Sequence, residues 1–327
     1  MVSTLKRKKL ITNLIKIGIG LFCFIVIYSR IKNDFTSEKL QILAQTTFST
    51  RGFICILACL LLIPINWGIE SYKWMLITAP VQKLSYVNAS KSVYSGVCLG
   101  NLAPGRATEF VAKILFFEID NRPKITVLHF LNGMFQLSIT ILAGLVALLF
   151  QINNFGNGNM WMIYLTSGIG LLILFALLLS IYKLDWILNI VAKKISKKNN
   201  LLDFHYQFTG KLIFQLFGFS LLRYMVFFTQ FVFIITLLHS NWLPLTVFIS
   251  MALYFLITTV IPMFSVIEAA VRAAIALVVF KDSGISNTAL ALSSVLIWLV
   301  NIIFPSILGY YFLVKQQFNF RFLKINT

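Results

Sequence analysis

The chain has 327 residues, 59% hydrophobic and 12% charged, with a formal net charge of +18 and a mean hydropathy of +0.87. Soluble domains carry about 25% charged residues, so the composition excludes an ordinary soluble domain and indicates a polytopic membrane protein. The positive charge does not indicate nucleic acid, because the bases lie between apolar runs, where they set membrane orientation, rather than along one soluble face.

In chain order, residues 1–9 are basic and 10–28 apolar. That run exceeds the roughly 7–15 residues of a signal-peptide core, and no small-x-small cleavage site follows before Arg30-Ile31-Lys32. It reads as an uncleaved first span. A span needs about 20 apolar residues; segments 10–29, 52–75, 125–150, 160–182, 212–238 and 285–314 qualify. Two other regions, about 92–117 and 242–280, are interrupted by proline and ionised residues. Proline removes a donor and disfavours helix at the preceding residue, so each region is expected to be two shorter helices meeting at a break. The longest polar stretch, about 183–211, is too short and too basic to bury a core of its own. The expected fold is an all-α integral membrane protein forming one polytopic domain over 1–327. It has about six full transmembrane helices plus two broken or re-entrant helical hairpins.

The bases orient these elements. With the N-terminus cytoplasmic and each interrupted region returning to its own side, segments 1–9, 73–91, 119–124, 183–211 and 315–327 hold 18 Lys and Arg. The outer segments 30–51, 151–159, 239–242 and 281–284 hold five. This satisfies the positive-inside rule. The expectation is a multi-pass cell-membrane protein with both termini cytoplasmic. The two hairpins then enter from opposite sides, as an inverted repeat would.

Each interrupted region carries one phrase: a proline, a glutamate five or six residues on, and a base four residues later. These are Pro104, Glu109 and Lys113, then Pro262, Glu268 and Arg272. On a helix, Arg106, Glu109 and Lys113 share a face, as do Glu268 and Arg272. Arg223 lies eleven residues into the span that begins at 212. A charge at the bilayer centre costs about 2.5–3.5 kcal/mol on translocon scales, so Arg223 is expected to face inward and pair with Glu109 or Glu268. Four bases against two carboxylates leave a positive excess suited to an anionic headgroup, whose phosphate oxygens match guanidinium forks. The loop 100–105, with Asn101, could present free amides to an anion. The candidate substrate-binding set is Asn101, Arg106, Glu109, Lys113, Arg223, Glu268 and Arg272.

The remaining polar residues carry less. Asn132, Gln136, Gln230 and Asn301 read as interhelical hydrogen-bonding residues, and Trp161, Trp186, Trp242 and Tyr310 as interfacial anchors. Cys23, Cys55, Cys59 and Cys98 fall in apolar stretches and read as small buried hydrophobes; His129, His205 and His239 show no ligand spacing. No Gly-x-Ser-x-Gly or His-Glu-x-x-His motif is present. No catalytic residue, metal or cofactor is expected.

Two segments carry a resemblance: Trp67-Gly68-Ile69-Glu70-Ser71-Tyr72-Lys73-Trp74, and the stretch 100–109 with Asn101, Pro104, Arg106 and Glu109. With Ile261-Pro262, Glu268, Arg272 and the stretch 298–305, they resemble the transmembrane region of the lysylphosphatidylglycerol synthase, or flippase-like, family over roughly 50–315. The resemblance implies movement of a lipid between leaflets. It does not extend to aminoacyl transfer, since no soluble aminoacyltransferase domain is present in 1–327. The resulting expectation is binding and transbilayer translocation of a lipid or other anionic amphiphile, by a transporter rather than an enzyme. The alternative is a membrane enzyme, or a subunit of one, acting on a lipid-linked substrate. The expected partner is a membrane lipid, with a separate lipid-modifying enzyme as a second candidate and no nucleic acid.

In a cysteine-free background, single cysteines at Lys197 and Asn157 should label from opposite sides of the membrane. Labelling of both from one side would discard this orientation.

Overall fold

The computed structural model describes residues 44–101, 106–151, 160–183, 209–239, 243–261 and 265–315, with isolated positions 25, 28 and 41. Most of the expected span 10–29, most of the loop 183–211, Pro104, Pro262 and both termini lie outside the described residues.

Every described element is helical. Helix α1 (Thr50–Thr78) starts where the Ser49 hydroxyl accepts from the Gly52 amide at 3.0 Å. Helix α2 (Tyr86–Gly100) is capped by Ser85, which begins it six residues before the expected start of the first broken region. The chain breaks there, then resumes in the short α3 (Glu109–Ile114) and a 3-10 turn at Ile119–Asn121. Helices α4 (Arg122–Gln151) and α6 (Gly210–Leu238) are long and apolar, and the apolar α5 (Met160–Tyr182) lies between them in the chain. Helices α7 (Leu245–Val260) and α8 (Ser265–Val279) form the second broken pair. Helix α9 (Asn287–Trp298) continues through a π turn at Leu299–Ile303 into α10 (Phe304–Lys315).

Among the described residues, four helical stretches are long and apolar enough to cross a membrane: Thr50–Thr78, Ile119–Phe150, Gly210–Leu238 and Asn287–Lys315. The 16 residues of α7 and 15 of α8 reach about 24 and 22 Å at about 1.5 Å per residue, short of a hydrocarbon core of about 30 Å. The π turn falls just before Pro305, which cannot donate the hydrogen bond that a regular α-helix needs there.

Helices α1 and α6 run antiparallel. Cys59 and Gln230 exchange hydrogen bonds at 3.3–3.4 Å, and further along α1 Lys73 reaches Ser220, earlier on α6, at 3.1 Å. Two apolar cores flank this pair. One contains Cys59, Phe231, Met251, Tyr254, Leu277 and Leu290. The other contains Trp74, Val93, Val97, Leu128, Phe135 and Leu216. Between them the facing residues of α1 and α6 are polar: Asn66, Glu70 and Lys73 against Ser220 and Arg223, all buried. Cys55 and Cys59 are buried free thiols, as small hydrophobes should be.

Helix α10 lies directly against α2. A Cβ on Gly309 would collide with the carbonyl oxygen of Tyr94, which is backbone and cannot step aside. Gly309→Ala should therefore lower thermal stability in detergent by about 1–3 kcal/mol, the usual cost of overpacking. An unchanged unfolding midpoint would contradict this close approach.

Candidate functional site

Asn66, Glu70 and Lys73 occupy one face of α1, spaced i, i+4, i+7. Glu70 is 4% exposed and gathers polar partners from three other helices, two of them supplying charge. Its Oε2 is 2.9 Å from Arg223 Nη1 on α6 and 3.4 Å from Lys73 Nζ, and its Oε1 is 3.7 Å from Lys113 Nζ on α3. Asn132 on α4 donates to the same Oε1 at 2.8 Å. Lys113 also reaches Glu109 Oε1 at 2.9 Å, and Arg106 Nε lies 3.3 Å from Glu109 Oε2. A continuous chain of ion pairs therefore runs from Arg106 through Glu109, Lys113 and Glu70 to Arg223.

This geometry corrects one expectation. The partner of Arg223 is Glu70, not Glu109 or Glu268. Lys73 and Arg122, counted above among cytoplasmic loop bases, are buried and belong to α1 and α4, so that tally falls by two. Sequence reasoning passed over Glu70 although it lies inside the expected span 52–75. An acid within an apolar run, one turn after Asn66, was the available signal.

The first break has a local cause. Arg106 adopts a left-handed φ of 58°, which a residue with a Cβ takes up only at some cost. The Thr108 hydroxyl donates to the carbonyl of Leu99, folding the chain back onto α2. Gly96 allows the approach: a Cβ there would lie 2.9 Å from Lys113 Cγ and 3.1 Å from Glu109 Cγ. Ser92 on α2 donates to the Lys113 carbonyl and accepts from Trp74 Nε1. The Lys113 ammonium also lies over the Trp74 ring at 5.0 Å.

Arg223 connects this network to a cavity of about 510 Å³, within the size range of small-ligand pockets. Its Nε donates to Asn66 Oδ1 at 3.2 Å, and Asn66 Nδ2 donates to Asn301 Oδ1 at 3.1 Å. Its guanidinium lies over the rings of Trp67 and Phe227 at 5.0 and 5.3 Å. The cavity is lined by Arg106, Arg223, Glu268, Arg272 and Asn301, together with Trp67 and Trp298. Glu268 and Arg272 form their own pair one helical turn apart, at 2.9 Å. The residues of the second break therefore share a wall with Arg106 of the first.

Of the seven candidates, Arg106, Arg223, Glu268 and Arg272 line this cavity. Glu109 and Lys113 stand behind Arg106 as its ionic support. Asn101 caps α2 and donates to the Ser306 hydroxyl on α10, away from the cavity lining. Gln136 donates to the Ser220 carbonyl and Gln230 to the Cys59 carbonyl, bridging helices as their sequence context suggested. Among the described residues, no group of three or more His, Cys, Asp or Glu is arranged to hold a metal ion.

Fold and site together define an all-helical protein with membrane-length apolar helices around a buried charged cluster and an arginine-lined cavity. No protein-family model matches the chain, and no curated protein matches it in sequence.

Glu70 is the most heavily used carboxylate here. Glu70→Gln leaves Lys73, Lys113 and Arg223 facing a neutral amide. It should cost about 3–5 kcal/mol of stability, the range for breaking a buried pair. Glu268→Gln, which breaks one pair at the cavity wall, should cost less. Thermal unfolding in detergent compares them; a smaller loss for Glu70→Gln would remove its assigned role.

Proposed function

We propose that the protein binds an anionic amphiphile, most simply a membrane lipid, in this cavity and moves its headgroup across the bilayer. The observation that carries the reading is the cavity wall, where Arg106, Arg223 and Arg272 face one space with Glu268 as the only lining carboxylate among the described residues. Guanidinium groups match phosphate oxygens in a bidentate manner. In a water-poor surrounding such contacts gain strength. The rim supports the same reading. Val260 and Ile261, beside the second break, line the cavity and are 59% and 42% exposed, so acyl chains can stay in the bilayer while the headgroup is held inside.

Under this proposal the two broken pairs are re-entrant hairpins entering from opposite sides of a cell membrane, as an inverted repeat, with both termini cytoplasmic. The resemblance to flippase-like membrane regions belongs to the same proposal. The breaks would supply the movement. Each pair of short helices can tip without unwinding a full span, so the cavity opens to one side and then the other around fixed charges. The Glu70 network, held by α1, α3, α4 and α6, would be the fixed part.

Proteoliposomes with a fluorescent anionic phospholipid test this directly. The wild type should accelerate loss of leaflet asymmetry over protein-free vesicles. Arg106→Gln should lower that rate at least tenfold with little change in unfolding midpoint, because Arg106 is partly exposed and, among the described residues, its ion pair is with Glu109. No acceleration by the wild type, or equal loss of rate and stability in the variant, would count against the proposal.

A further inference from the structure

We propose that the headgroup this cavity takes is a dianionic phosphate monoester on a lipid, in preference to a phosphodiester or a zwitterion. The inference rests on the lipid-binding reading above and deepens it.

Charge supplies the first argument. Among the described residues, the charged residues lining the cavity are Arg106, Arg223, Arg272 and Glu268, a formal surplus of two positive charges. The ion pairs behind the wall add two bases, Lys73 and Lys113, and two acids, Glu70 and Glu109. The surplus is again two. Rearranging partners within this set therefore leaves two positive charges uncompensated, and unpaired charge in an apolar interior is costly. A phosphate monoester carries about −1.5 to −2 near pH 7, whereas a phosphodiester carries a single charge and a zwitterion none.

Hydrogen-bonding chemistry supplies the second. Several buried polar atoms of lining residues have no hydrogen-bond partner among the described residues: Trp67 Nε1, Trp298 Nε1, Tyr224 Oη, Arg106 Nη2 and Gln136 Oε1. Three of these can only donate and a fourth can donate, while one only accepts. These atoms are enclosed, with almost no surface open to solvent or to the cavity, and Trp67 and Tyr224 are only 2% and 7% exposed. Side-chain rotation that turns these atoms into the cavity would present mainly donors, which suit the acceptor oxygens of a terminal phosphate. An ammonium-bearing headgroup would need acceptors instead, and the lining carboxylate Glu268 is already held by Arg272.

The test uses the full chain in detergent, with the unfolding midpoint titrated by lipids of matched acyl chains: phosphatidic acid, phosphatidylglycerol and phosphatidylcholine. Inorganic phosphate forms a fourth arm. Phosphatidic acid should bind at least tenfold tighter than phosphatidylglycerol, and the advantage should shrink below about pH 6, where the monoester takes up its second proton. Arg272→Gln reduces the surplus to one and should erase the advantage. Glu268→Gln combined with Arg272→Gln keeps the surplus at two and should retain it. Equal binding of the two anionic lipids, or loss of the advantage in the double variant, would overturn the monoester assignment and leave the lipid-binding reading standing. Inorganic phosphate binding as tightly as phosphatidic acid would assign the site to a soluble anion and overturn the lipid. Stabilisation by none of the lipids would overturn both readings.

Discussion

A carboxylate cannot be buried alone among apolar helices, and the architecture around Glu70 follows from that constraint. Removing an ion from water costs several kcal/mol even after relaxation. Glu70 meets the cost with Arg223, Lys73, Lys113 and the Asn132 amide, drawn from α6, α1, α3 and α4. Those partners are equally expensive without it. The cluster therefore fixes how α1 and α6 register and where α3 must sit. It also separates the two apolar cores, because neither core can extend through a layer that must stay polar.

The same constraint places the cavity. Arg223 is shared: two of its nitrogens are committed to Glu70 and Asn66, while its ring contacts with Trp67 and Phe227 lie at the cavity wall. On the other side of the first break, Arg106 is held by Glu109, which Lys113 ties back to Glu70. The cavity wall is thus joined to the network by charge-assisted contacts. In the proposed carrier, that connection would supply the fixed charged reference for movement of the short helices at the breaks.

Much of the architecture was legible in the sequence. The long spans announce themselves through unbroken apolar runs, and both breaks were readable from proline beside ionised residues. The start of α2 was not. Asn88, Ser90 and Lys91 hide the helix from a hydropathy reading, whereas the Ser85 cap specifies it. At the site, Arg223 could be read as inward-facing from energetic cost alone, but its partner could not. Glu70 and Lys73 sit near the end of an apolar run, where charged residues usually meet the interface. Only the antiparallel pairing of α1 and α6, a contact between residues about 150 positions apart, brings Glu70 to Arg223. The grouping of Arg106 with Arg272 depends likewise on tertiary packing that no local pattern encodes.

Native mass spectrometry of the protein extracted from its own membrane tests the central claim most directly, that these charges converge to hold an anionic headgroup. The account predicts one co-purifying anionic lipid per chain, retained on gentle activation in the wild type and lost in Arg106→Gln. A chain that emerges free of lipid, or with only zwitterionic lipid in both forms, would contradict it.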